Sequence, residues 1–168
     1  MITWTTEISI ADLLLAASIL IAAVGLFLNF LQMRKNNLQK RAEYMINLYN
    51  QYTSDPDMTD IYYKIEYGEF DYNEEFHQSS EEKKLDKLLG FFENIAKLYT
   101  MKNITLDDLK YSAYEFLVIY QDNSVKQYIR FLERWFSQRG IKVKPYEAFQ
   151  KVGKILEKEM YSHESNVA

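Results

Sequence analysis

The chain has 168 residues, 48% of them hydrophobic, with a formal net charge of −4 and no cysteine. That length allows one domain with its own core plus an additional segment, and a cysteine-free main domain fits the cytoplasm better than an exported site where disulfides serve. With 2 prolines, no Ser or Gly linker, no low-complexity tract and no repeat at solenoid periods, the composition excludes a bead-on-string or repeat architecture.

Leu13 to Leu31 contains no charged residue, and its only uncharged polar members are Ser18 and Asn29. About 20 helical residues cross a hydrocarbon core of about 30 Å, so this run reads as a membrane span rather than a buried core helix. Glu7 and Asp12 precede it, whereas Arg34, Lys35, Lys40 and Arg41 follow. The positive-inside rule then puts the N-terminus outside and the bulk of the chain in the cytoplasm, with Trp4, Phe27 and Phe30 suited to the two interfaces. A cleaved signal peptide requires a basic start, and this start is acidic.

Within the span, steps of three and four residues select Ala11, Leu15, Ser18, Ala22, Gly25, Asn29 and Gln32, while Leu, Ile, Val and Phe dominate the other faces. Small residues permit close approach of helices in lipid and polar ones bond between them. Ser18, Ala22, Gly25, Asn29 and Gln32 therefore predict a parallel homo-oligomer, whose shared face is either a dry seam or a pore lining. Asp12 at the outer mouth reads either as a carboxylate ring that attracts cations or as an interfacial acid that ends the span.

Residues 34–54 lack a helix breaker and carry Leu38, Met45, Ile46 and Tyr49, so the spanning helix is expected to continue as a juxtamembrane stalk. Ser54, Asp55 and Pro56 then start a helix to about Tyr67 with Met58, Ile61, Tyr62 and Ile65 on one side. Gly68 to Ser79 reads as an acidic loop. Ser79 and Glu82 form a capping box for the clearest amphipathic helix, which carries Leu85, Leu88, Leu89, Phe92, Ile95, Ala96 and Tyr99. Thr105 and Asp108 cap a helix through Tyr120. Asn123 or Ser124 opens another with Val125, Tyr128, Ile129, Leu132 and Phe136 inward, closed by Gly140. Pro145 starts the last, with Ala148, Phe149, Val152, Ile155 and Leu156 on one face, running to about Met160. The fold class expected is all-α: an anchor in residues 1–33, a stalk in 34–54 and a helical bundle of about five helices in 55–168. Only Ile141 to Val143 offers a short strand.

Charge is uneven, with an acidic middle between basic flanks. Lys126, Arg130 and Arg134 lie at i, i+4, i+8 spacing, and Arg139, Lys142 and Lys144 follow, with Tyr128, Trp135 and Tyr146 close by. A basic face with an aromatic ring suits phosphates and stacked bases, so these residues form the candidate ligand-binding set; a solvated face with Trp135 in the core is the competing reading. No phosphate loop, nucleophile elbow or paired metal motif occurs, and the only histidines are His77 and His163. His77 with Glu74 and Glu75 reads as part of a solvated loop rather than a metal site, and no catalytic residue, metal or cofactor is expected.

The N-terminal span, the charged stalk, the Ser-Asp-Pro start, the segment LLGFFENIAKLYTMKNITLDDLKY and the later FLERWF together resemble a family of bacterial membrane-anchored helical domains. Their layout is similar to that of small anti-phage membrane effectors, including the cyclic-oligoadenylate-responsive effectors of type III CRISPR systems. The resemblance implies the bacterial inner membrane, a cytosolic domain that binds a nucleotide second messenger, and an output at the bilayer. The functional expectation is a homo-oligomeric membrane effector or channel. The alternative is a passive single-pass anchor that presents an interaction module to a cytosolic protein partner.

Overall fold

The computed structural model describes residues 10–161; Trp4, Glu7 and His163 lie outside the described residues, as does the side chain of Glu74. All regular structure among the described residues is helical. The chain divides into two compact units, Met1–Tyr44 and Met45–Ala168, and the first helix, α1 (Ile10–Ser54), contributes to both.

In the first unit α1 is long and apolar enough to cross a membrane, and none of its apolar side chains is buried. The second unit starts inside the segment expected as a stalk, because Met45 and Tyr52 are buried with the domain core whereas Leu38, Ile46 and Tyr49 are exposed. Tyr52 stacks on Phe91 and meets Tyr62 and Phe92 edge-on, which ties the last turns of α1 into that core.

Helix α2 (Pro56–Glu66) begins where its signal stands: Asp55 Oδ1 accepts the backbone N–H groups of Asp57 at 3.0 Å and Met58 at 3.1 Å. Met58, Ile61, Tyr62 and Ile65 are all buried, as their helical spacing requires. Lys87 reaches Asp55 and Asp57, Lys84 reaches Asp60 and Lys64 reaches Glu81, so four acids of this region face cations of α2 and α3. Such exposed pairs fix register more than they stabilise.

Helix α3 (Ser80–Thr100) is the centre of the domain; Leu85, Leu88, Leu89, Phe92, Ile95 and Ala96 are buried along it. Its cap differs from the expected box in one bond. Ser79 Oγ does accept the Glu82 N–H at 3.1 Å, but the Glu82 carboxylate returns to Gln78 N–H rather than to Ser79. Gln78 adopts a left-handed φ of 64°, which turns its N–H toward that carboxylate.

The helix expected from Thr105 to Tyr120 is interrupted. A turn, α4 (Leu106–Leu109), capped by Asp108 on Thr105, passes through a 3-10 segment at Lys110–Ser112 into α5 (Ala113–Gln121). No local sequence signal marks the break. Helix α6 (Asn123–Gln138) is capped by Asp122, one residue before the expected position, through Val125 N–H at 2.8 Å. It closes at Gly140, whose φ of 71° favours glycine and lets Ile141 N–H return to the Phe136 carbonyl. Ile141 to Val143 is irregular rather than a strand.

Helix α7 (Glu147–Tyr161) starts two residues after Pro145, because Tyr146 takes a left-handed φ of 50° that no helix continues. Its first turn is satisfied from α3: buried Glu93 accepts the Phe149 N–H at 2.8 Å and also pairs with Lys97. Against α5, Gly153 is buried, with the ring of Tyr120 in the space a side chain at 153 would need, whereas Ile155, expected inward, is exposed.

Two substitutions test this docking. Glu93→Ala leaves the Phe149 N–H buried without an acceptor and should cost about 1–3 kcal/mol, with Glu93→Gln milder because its amide oxygen still accepts. Gly153→Ala should cost a further about 1–3 kcal/mol through overpacking on Tyr120. Both are read from denaturant unfolding of the full chain in detergent, followed by tyrosine fluorescence.

Candidate functional site

Four segments of the second unit converge on a groove of about 780 Å³. Glu82 and Asp86, four residues apart on α3, lie on the same side of that helix and form the acidic floor. Tyr128, Phe131, Leu132, Trp135 and Phe136 come from one face of α6, and Pro145 and Tyr146 close the far side just before α7. His77 and Gln78, from the loop expected to be only solvated, complete the wall.

That loop is held by its aromatic residues. Phe70 and Phe76 are buried and pack edge-on at 5.5 Å, and Phe76 meets Tyr128 at 5.2 Å. His77 lies over Phe131 with ring centroids 4.1 Å apart. Its nitrogens face opposite partners, Nε2 meeting the Tyr72 hydroxyl at 2.9 Å and Nδ1 meeting Glu82 Oε1 at 3.1 Å. The histidine thus turns to Glu82, a residue of the cap, and among the described residues no group of three or more His, Asp and Glu side chains is arranged to hold a metal.

From Glu82 the polar chain continues. The Tyr128 hydroxyl donates to Asp86 Oδ1 at 2.7 Å and lies 3.3 Å from Glu82 Oε1, and the Tyr146 hydroxyl donates to the same Asp86 oxygen at 2.8 Å. Burial and the neighbouring Asp86 carboxylate push both tyrosine hydroxyls far above their ordinary range, so both stay protonated donors. Burial also pushes Glu82 upward, but the Gln78 N–H, His77 and Tyr128 outweigh it and hold the carboxyl below its ordinary value. The result is a preoriented pair of acceptors under an aromatic wall.

The basic residues expected to act together are dispersed. Lys126 Nζ donates to the Gln121 carbonyl at 2.9 Å and sits 5.6 Å from the Tyr120 ring, so it is used locally. Arg130 and Arg134 flank a hollow of about 410 Å³ with Tyr72, Gln127 and Glu133. Burial raises the Tyr72 hydroxyl against the pull of Arg134. Lys142 and Lys144 border a separate hollow of about 510 Å³ beside Glu133 and Ser137. Arg139 stacks on Trp135, its guanidinium carbon 3.6 Å from the ring centroid. Trp135, neither buried nor beside the phosphate-ready arginines, belongs to the acid-floored groove.

No protein-family model, curated protein or solved structure matches this chain. The site therefore stands on its own geometry. Sequence reasoning paired Tyr128, Trp135 and Tyr146 with the basic residues and missed Glu82, Asp86 and Phe131 as their groove partners, since Tyr146 reaches Asp86 across 60 residues.

In the first unit, α1 places Ser18, Ala22, Gly25, Asn29 and Gln32 within an arc of about 80° at about 100° per residue. All five are exposed on the single chain. The Ser18 hydroxyl donates to the Leu14 carbonyl at 2.8 Å, and a Cβ at Gly25 would meet nothing within 4 Å.

Glu82 makes stability pH-dependent in a defined direction. Its folded-state value lies below the ordinary 4.5, so its contribution is complete above that pH and is lost as the pH falls through the lower folded value. Glu82→Gln should flatten the fall of the thermal midpoint between about pH 5 and about pH 3, measured by differential scanning fluorimetry.

Proposed function

We propose that this chain is a single-pass membrane effector: a helical domain that receives a signal, and an anchor that self-associates and changes the permeability of the bilayer. The observation that carries the reading is α1 itself. One 45-residue helix begins in an exposed apolar stretch and ends with Tyr52 packed against Tyr62, Phe91 and Phe92. Its last turns therefore feel any repacking of the domain, and a helix transmits rotation or shift along its length.

The basic residues after the span place the domain on the cytoplasmic side, and residues 34–44 act as the stalk. Copies pack through Ser18, Ala22, Gly25, Asn29 and Gln32, where small side chains allow close contact and polar ones bond between helices. A phosphate-bearing signal, such as a nucleotide second messenger, falls on Arg130 and Arg134, which among the described residues form no ion pair and border one hollow. The signal acts only through unequal affinity for the closed and open assemblies. The setting in bacterial anti-phage defence rests on the resemblance of the layout.

A second reading, a passive anchor for an interaction module, has one observation in its favour: the Ser18 hydroxyl is already satisfied within its own helix and needs no partner helix.

Dye release from liposomes that contain the purified full-length chain separates the two. With a panel of cyclic and linear oligoadenylates, the effector reading expects ligand-dependent release, loss of that release in Ala22→Leu/Gly25→Leu, and at least tenfold weaker response in Arg130→Ala/Arg134→Ala, on the order of two charge-assisted contacts. A ligand-indifferent, tight membrane with a monomeric protein in detergent would leave the anchor reading.

A further inference from the structure

The groove between α3 and α6 has a chemistry opposite to that of the arginine hollow. Its lining carries two carboxylates, Glu82 and Asp86, five aromatic rings besides His77, and no lysine or arginine. A phosphate placed there would face both carboxylates. A cation would face them too, with favourable sign.

The hydrogen bonds show which oxygen is open. Glu82 uses Oε1 for His77 and Tyr128 and Oε2 for Gln78 N–H. Asp86 receives both tyrosine hydroxyls on Oδ1, and among the described residues no donor reaches Oδ2. The two tyrosines thus hold the exposed Asp86 carboxylate in one orientation and leave its second oxygen as an open acceptor on the groove. Such a fixed carboxylate makes a stronger charge-assisted bond than a freely rotating one.

The wall has a cation on it already. Arg139 lies 3.6 Å from the centroid of Trp135, so one face of that ring engages a guanidinium supplied by the chain itself. An indole is the best aromatic partner for such a charge, and a second ring, Phe131, stands one helical turn away. The hollow, at about 780 Å³, falls in the range of small-molecule sites.

We infer that this groove binds a small organic cation, a primary ammonium or guanidinium with an apolar or aromatic body, its charge on Asp86 Oδ2 and its body along Phe131 and Trp135. The site is independent of the membrane reading and of the arginine hollow. Arg139, which does not line the groove, shows that the Trp135 ring accepts a cation on its face.

Isothermal titration of the full-length chain in nanodiscs of neutral phosphatidylcholine tests this, with tyramine, agmatine and spermidine as probes and adenosine monophosphate as the anionic control. Saturable binding of at least one amine, no binding of the nucleotide at this groove in the Arg130→Ala/Arg134→Ala background, and a loss of about tenfold or more in Asp86→Asn are expected, the size of one charge-assisted bond. Trp135→Leu, at an exposed position that leaves the carboxylate floor intact, should weaken binding of the aromatic amine several-fold and so decides the matter if Asp86→Asn unfolds. The inference is overturned if no amine binds at millimolar concentration, if Asp86→Asn binds as well as the parent, or if Trp135→Leu has no effect. An arginine-containing peptide that binds where free amines do not would also overturn it, and would assign the groove to a protein partner.

Discussion

The docking of α7 on α3 through Glu93 is the interaction on which the rest of the domain depends. Four N–H groups at a helix start have no partner within the helix, and here one of them is met by a carboxylate from a helix 56 residues earlier in the chain. The negative charge also sits at the positive end of the α7 dipole, and Lys97 balances it from the exposed side. With α7 fixed at this point, Gly153 can settle against Tyr120 and Phe149 can stack on Phe116 at 4.7 Å. A local cap would have stabilised the helix without telling it where to lie. The long-range cap does both.

The same docking shapes the groove. Tyr146 precedes α7 in a left-handed conformation that L side chains rarely adopt, and its hydroxyl is held by Asp86 on α3. Glu93 and Asp86, two turns apart on one helix, therefore secure the start of α7 from inside and from the groove wall. On the other side, the loop around His77 folds over α6 through Phe76 and Phe131 and delivers its histidine to Glu82. Much of the acidity of the middle of the chain is thus structural: Asp55, Asp57, Asp60, Glu81, Glu82 and Glu93 all have named cationic, imidazole or N–H partners.

Charge divides the two hollows beside α6, one bordered by arginines and one by carboxylates. Arg130 and Arg134 lie on one side of α6 and Trp135 with the carboxylates of α3 on another, because residues four apart share a face and residues five apart do not. A basic-aromatic cluster in sequence is consequently split in space, its arginines on one hollow and Trp135 on another.

Sequence alone determined whatever depends on neighbours along the chain. The apolar run of α1 sets its own length, Asp55, Ser79 and Thr105 mark helix starts because a cap is a bond across two or three residues, and the spacing of Leu85, Leu88, Leu89 and Phe92 identifies a buried face because a helix repeats every 3.6 residues. It could not reveal that Tyr146 would leave helical geometry, that Gly153 rather than Ile155 would turn inward, or that Glu93 would accept the Phe149 N–H. Those outcomes belong to tertiary structure. Each follows from a contact across tens of residues, Asp86 with Tyr146, Glu93 with Phe149, Tyr120 with Gly153, and the energy of such a contact exists only once the partners have been brought together by the packing of the whole core.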